Sequence, residues 1–152
     1  MLPEKIKDGV YWVGSVDWDL RNFHGYETHR GSSYNSYLII DEKIVLVDGV
    51  KDYTKDQMLA RMSELIDPSK IDIVVVNHVE MDHSGAIPTI MNIAKNAEII
   101  TSKNGLSGLQ KHYLESKHWK IKEVKTGDKI NIGKRNLEFF LMPMVHWPDS
   151  MA

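Results

Sequence analysis

The stretch Ile71-Asp-Ile-Val-Val-Val-Asn-His-Val-Glu-Met-Asp-His-Ser-Gly85 decides how this chain is read. Residues 71–76 are nearly all apolar, the pattern of a strand covered on both faces. Directly behind them stand four potential metal ligands within six residues: His78, Glu80, Asp82 and His83. The place matters as much as the residue types, because α/β sheets hold their ligands beyond the carboxyl ends of their strands. In an extended or turning segment alternate side chains share one side. His78, Glu80 and Asp82 can then converge, while His83 projects differently and can address a second metal. Gly85 and Pro88 suit a tight exit into a helix. One histidine or aspartate on a loop is ordinarily just solvated, whereas four at this spacing past a buried strand point to metal.

Composition restricts which metal. The 152 residues include no cysteine, which removes disulfides, iron–sulfur clusters, thiolate nucleophiles and thiolate-rich zinc sites together. Two imidazoles and two carboxylates suit iron, manganese or zinc better than copper(I) or calcium. A carboxylate-rich pair of sites leans toward iron, although carboxylates bind zinc as well. A further histidine stands past a predicted strand: Leu137-Glu-Phe-Phe-Leu-Met142 leads into Pro143-Met-Val-His-Trp-Pro-Asp149. Alone His146 reads as a structural histidine; beside the first cluster it reads as a ligand.

Outward from this core, residues 53–66 place Met58, Leu59, Met62, Leu65 and Ile66 at helical spacing, stopped by Asp67-Pro68. Residues 87–97 and 105–115 predict helices, and 98–101 a strand. Residues 9–14 predict a strand, and 33–49 a hairpin turning at Asp41-Glu42. The interval 17–31 is polar, irregular and too long for a simple turn; it holds His24 and His29. Loops of that length in compact domains often carry function. Three short strands are expected at 120–125, 129–132 and 137–142. The fold class is therefore α/β (α+β), with mixed sheets and helices packed outside them.

Net charge of −2 gives no reason to expect nucleic acid or an anionic membrane as partner. Mean hydropathy of −0.33 and the lack of a long apolar run argue against a membrane span. The opening residues lack the apolar stretch of a signal peptide, so the expected location is cytoplasmic.

H-x-E-x-D-H after a buried strand resembles the metal-binding signature of the metallo-β-lactamase superfamily. Most of that superfamily has histidine where this chain has Glu80. Glutamate there, with His-Trp-Pro-Asp at 146–149, resembles the flavodiiron proteins in particular, as do Asn35 to Leu38, Val47-Asp48-Gly49 and Asn77-His78. The resemblance implies an αββα sandwich holding two non-haem irons close to a flavin mononucleotide (FMN), which reduces dioxygen to water, nitric oxide to nitrous oxide, or both. By position it implies His78, Glu80 and His146 on one iron and Asp82 and His83 facing the other. It implies His24 and Tyr26 lining the substrate pocket, and Trp147 packing near the flavin. A rubredoxin-like electron donor is implied as well.

Residues 1–152 would then be an incomplete diiron domain. The flavodoxin-like domain that holds FMN, a bridging aspartate and a last histidine would belong elsewhere, in a longer protein or a complementary chain. An uncovered half-sandwich is expected to associate with itself or with that complement. Two other functions compete: a metal-dependent hydrolase of the same superfamily, against which Glu80 argues, and a truncated, inactive domain that binds a partner and little metal.

Overall fold

The computed structural model describes residues 2–152. The chain opens with β1 (Glu4–Lys7) and β2 (Val10–Trp12), then β3 (Ser15–Asp17), β4 (Asn22–Phe23), β5 (Tyr26–Glu27) and β6 (Ser32–Tyr34). β7 (Tyr37–Ile40) and β8 (Ile44–Val47) form a hairpin, and α1 (Lys55–Ser63) leads on to β9 (Ile73–Val75). After β9 come the single turn α2 (Met81–Ser84), α3 (Ile87–Ile93), β10 (Glu98–Thr101) and α4 (Lys103–His112). β11 (Lys120–Glu123), β12 (Lys129–Asn131) and β13 (Asn136–Glu138) follow. Seven strands make the main sheet, in the order β1-β2-β7-β8-β9-β10-β11. β8 to β11 run parallel, so their carboxyl ends share one pole.

The central strands are apolar throughout because both of their faces are covered. Leu46, Val74 and Ile99 point into a core closed by Met58, Met62, Ile87, Ile90 and Leu109 from the helices. Their alternates Val45, Ile73, Val75 and Ile100 point the other way, against Ile132, Phe139 and Met151. One side of the sheet thus carries helices and the other a small second β layer, the start of the expected sandwich. Arg135 fastens that layer: its Nη1 lies 2.8 Å from Asp41 Oδ2, and Nη2 donates to the Asp8 carbonyl at 2.6 Å.

The structure departs from the sequence reading in places. The hairpin read at 33–49 pairs only from Tyr37 to Val47. Residues 32–34 belong instead to a longer ribbon that includes the supposedly irregular 17–31. Its pairs, Val10↔Ile39, Trp12↔Tyr37, Ser15↔Tyr34, Asp17↔Ser32, Asn22↔Glu27 and Phe23↔Tyr26, keep one register from the sheet to the turn at His24-Gly25. Its outer half is mostly exposed, with Leu20, Phe23 and Thr28 only half-buried, so no apolar alternation announces it. The strand expected at 137–142 covers only Asn136–Glu138, with an isolated bridge of Leu141 to Met151 beyond it. Helix α4 begins at Lys103, earlier than expected, because the Ser102 hydroxyl caps it by accepting the Gly105 amide at 3.0 Å.

No helix among the described residues is long and apolar enough to cross a membrane. Leu46 is completely buried between strand neighbours and helices. Leu46→Ala is expected to lower unfolding free energy by about 2–5 kcal/mol, read from the urea midpoint at unchanged slope.

Candidate metal centre

Everything in the ligand motif lies at the pole where β8, β9 and β10 end. His78 and Glu80 follow β9 in extended backbone, and Glu80 begins α2: its carbonyl accepts the amides of His83 (2.9 Å) and Ser84 (2.8 Å). Asp82 and His83 therefore sit on a helical turn, so it is a turning and not an extended segment that carries Asp82, and His83 projects differently as expected. The turn is tied from behind by the Ser84 hydroxyl, which donates to the Val79 carbonyl at 2.6 Å and meets Tyr113 Oη at 3.0 Å.

Each of the two motif histidines is held by a buried aspartate. Nδ1 of His78 donates to Asp149 Oδ2 at 3.0 Å, and that oxygen also accepts the Val79 amide at 2.8 Å. His83 Nδ1 lies 3.2 Å from Asp48 Oδ2, while Asp48 Oδ1 accepts the Asn77 amide at 2.7 Å. Both rings are thereby oriented through Nδ1 with Nε2 on the side of the site, and such outer carboxylates ordinarily orient metal-binding histidines. The two rings stand 5.3 Å apart at 64°. Neither Asp48 nor Asp149 was assigned a role from sequence. The signals present were Val47-Asp48-Gly49 at a strand end and the last residue of His-Trp-Pro-Asp149.

Glu80 is the hub of the pole. Its Oε2 lies 3.2 Å from His78 Nε2 and 3.0 Å from His146 Nε2, and its Oε1 lies 3.0 Å from His24 Nε2. Burial alone would raise the Glu80 carboxyl. Hydrogen bonds from His146 and His78 and the nearby His24 outweigh burial and hold it below its ordinary value, so it stands as an anion at neutral pH. Burial would likewise lower His83, but Asp48, Asp82 and Glu80 raise it above its ordinary value.

These residues suit a pair of cations. Asp82 Oδ1 is buried and has no hydrogen-bond partner among the described residues, a costly state for a carboxylate oxygen unless a cation neutralises it. Donor atoms of His24, Glu80 and His146 lie within 4.8 Å of one another. That is close to the span of one coordination sphere with bonds of about 2.0–2.2 Å. His24, expected to line a substrate pocket, is thus brought into contact with Glu80. Tyr26 lies one pair behind it on the ribbon with its ring exposed. The Trp147 ring is 4.9 Å from that of His78 at 84°. It borders an open groove of about 320 Å³ with Val79, Gly108, Lys111 and Asp149.

A family model described as "ODP family beta lactamase" matches residues 33–152. The chain belongs to this family. Among curated relatives of this ODP domain, a nitric oxide reductase of Moorella thermoacetica is 46% identical over 151 residues, covering 98% of this chain and 38% of the relative. Among solved structures, the rubredoxin oxygen:oxidoreductase of Desulfovibrio gigas superposes with a TM-score of 0.93 at 41% identity, over 98% of this chain and 37% of that one. The flavodiiron protein of Giardia intestinalis gives 0.93 at 38% identity, over 99% and 37%. The metallo-β-lactamase-like fold and the flavodiiron resemblance expected from the motif are borne out. The chain spans less than two fifths of the length of these relatives.

The ribbon is rooted by a second buried carboxylate cluster. Asp17 Oδ2 accepts the hydroxyls of Tyr34, at 2.7 Å, and Tyr53, while Oδ1 accepts the amides of Asp19 and Leu20. Burial would raise the Asp17 carboxyl, but these donors outweigh it and leave it lowered. A lowered folded-state value means stability that is present above the unfolded-state value and lost as pH falls through the folded one. Asp17→Asn is therefore expected to lower stability at neutral pH and to flatten its decline below about pH 4, seen in urea midpoints across an acid series. For the histidine clamp, Asp149→Asn is expected to weaken metal affinity about 10–100-fold. Cobalt(II) titration would check this, and an unchanged affinity would show that the clamp is only structural.

Proposed function

We propose that this chain is the metal-binding part of a flavodiiron oxidoreductase that reduces dioxygen to water, nitric oxide to nitrous oxide, or both. The observation that carries the reading is the convergence of His78, Glu80 and His146, with Asp82 and His83 beside them, at the carboxyl pole of a β-lactamase-type sheet. In this reading His78, Glu80 and His146 hold one iron, and Asp82 and His83 face a second. Two ferrous ions held there would supply electrons for reducing a diatomic substrate, with FMN from outside these 152 residues and rubredoxin or a similar donor as the electron source.

The protein's own side chains set the conditions. Glu80 contributes negative charge at a fixed place because two imidazoles keep it ionised. Asp149 and Asp48 hold Nδ1 of His78 and His83, so each ring turns Nε2 toward the site. His24 and His146 are about half exposed, which leaves that side of the site open to a small molecule. Trp147 stands between His78 and the outside, where a flavin would pack.

The resemblance to oxygen and nitric oxide reductases supports the substrate class, and the carboxylate-rich donor set supports iron. The exposed run Phe140, Met142, Met144 and Val145 follows the second β layer. It supports association with a second copy or with the chain that carries the flavin. Iron measured by mass spectrometry after anaerobic ferrous loading is expected to approach two per chain, or two per pair of chains, and to fall sharply in Glu80→Ala. Zinc as the sole metal, or none, would overturn the reading. Sedimentation velocity at micromolar concentration is expected to show self-association that Val145→Lys weakens.

A further inference from the structure

Tyr53 divides its side chain between solvent and interior. The ring is 63% exposed, yet its hydroxyl donates inward to Oδ2 of the buried Asp17. That oxygen also accepts the hydroxyl of the buried Tyr34 at 2.7 Å, and the two phenol oxygens stand 3.0 Å apart. The placement is firmly held. Tyr53 lies in a short helical turn, Asp52–Thr54, which Thr54 ties to the ribbon root through Ser15 Oγ at 2.7 Å. Gln57, one turn further on, accepts the Val16 amide at 3.2 Å and donates to the Val16 carbonyl at 3.0 Å. Burial would raise the Asp17 carboxyl, but its donors outweigh burial and keep it ionised at neutral pH. A phenol that loses an electron becomes far more acidic than any carboxylic acid, so its proton must leave as well. Here a carboxylate already bonded to the phenol is in place to take it.

We propose that Tyr53, with Asp17 as its proton acceptor, is a redox-active tyrosine that gives one electron to oxygen-centred radicals arriving from solvent. In the step, an electron passes from the Tyr53 ring to a peroxyl radical, and the phenol proton crosses to Asp17 Oδ2. The peroxyl radical becomes a hydroperoxide anion, which takes a proton from water. Tyr34, whose hydroxyl had donated to the carboxylate, then donates to the new phenoxyl oxygen 3.0 Å away and stabilises it. Lys51 Nζ lies 5.2 Å over the Tyr34 ring. A cation there is attracted to the intact ring and opposes removal of an electron from it, so the hole stays on Tyr53. A small reductant in solvent returns the electron to the exposed ring, and Asp17 returns the proton. The proposal stands on these three side chains and does not depend on which metal the pole holds.

Tyr26 supplies an internal comparison, because its ring is 76% exposed and accessibility alone favours its oxidation over that of Tyr53. The full chain, without added metal, would be exposed to peroxyl radicals from a water-soluble azo initiator. Loss of each tyrosine would be followed by peptide mass spectrometry, and the phenoxyl radical by electron paramagnetic resonance of frozen samples. Tyr53 is expected to be consumed at least about tenfold faster than Tyr26, the factor that a hydrogen bond to a charged group supplies. The phenoxyl signal is expected to vanish in Tyr53→Phe, which keeps the exposed ring and removes only the hydroxyl. Asp17→Asn, compared where circular dichroism shows it folded, is expected to lose the preference for Tyr53. Tyr34→Phe is expected to keep the preference and shorten the life of the radical. Consumption of Tyr26 as fast as Tyr53, or an unchanged signal in Tyr53→Phe, would overturn the proposal whatever Asp17→Asn does. A preference that survives in folded Asp17→Asn would overturn the role of the carboxylate.

Discussion

A carboxylate removed from water must be surrounded by donors, and this pole of the molecule is organised by two that are. Asp149 and Asp48 are both nearly inaccessible, and each is satisfied by one imidazole and one backbone amide from the segment after β9. Leaving either without its donors would cost several kcal/mol, so the bonds hold chain segments together as firmly as apolar packing does. Through Asp149 the strand end at residue 78 is tied to a segment 71 positions later. The Ser102 hydroxyl donates to the Asp149 carbonyl, and the Met151 amide to the carbonyl of Asn77. The segment that carries His146 and Trp147 is located by these bonds, because little of it is otherwise packed.

Backbone strain falls in the same region. Among the described residues, the non-glycine positions with positive φ are His24, Asp48 and Met144. They lie in three segments that meet at the site: the ribbon tip, the end of β8 and the approach to His146. Strain of this kind persists only where surrounding contacts over-determine the conformation. At Asp48 those contacts are the amide of Asn77 on its side chain, the Ser36 hydroxyl on its carbonyl and the Val75 carbonyl on its amide.

The parts of this arrangement that were legible in sequence are the local ones. Val74 to Val76 announce a doubly covered strand, and His78, Glu80, Asp82 and His83 follow within a few residues, so spacing alone brings them together. His146 was found because it repeats the same placement after another apolar run. The roles of Asp48 and Asp149 were not legible, since their partners lie 35 and 71 residues away and only the folded sheet brings them near. The ribbon was missed for a different reason. Strand prediction depends on one face being buried, and around Asn22 and Glu27 nothing is more than half-buried. The helical turn at Met81–Ser84 is also silent in sequence, being too short for any periodicity.

The parallel run of β8 to β11 divides the molecule into two ends with different tolerances. The far end holds joining turns such as Asp8-Gly9, Asp41-Glu42, the bend around Pro68, residues 94–97 and the approach to β11 near Trp119. None of these touches the ligand cluster, and the Arg135 latch on Asp41 fastens that end independently. Insertions, tags or a fused partner joined there would leave the chemistry undisturbed, whereas lengthening the connections after β8 or β9 would move Asp48 or the ligands from His78 to His83. Sequence drift in a lineage of such chains should therefore be lopsided, with length variation gathering at one end of the sheet.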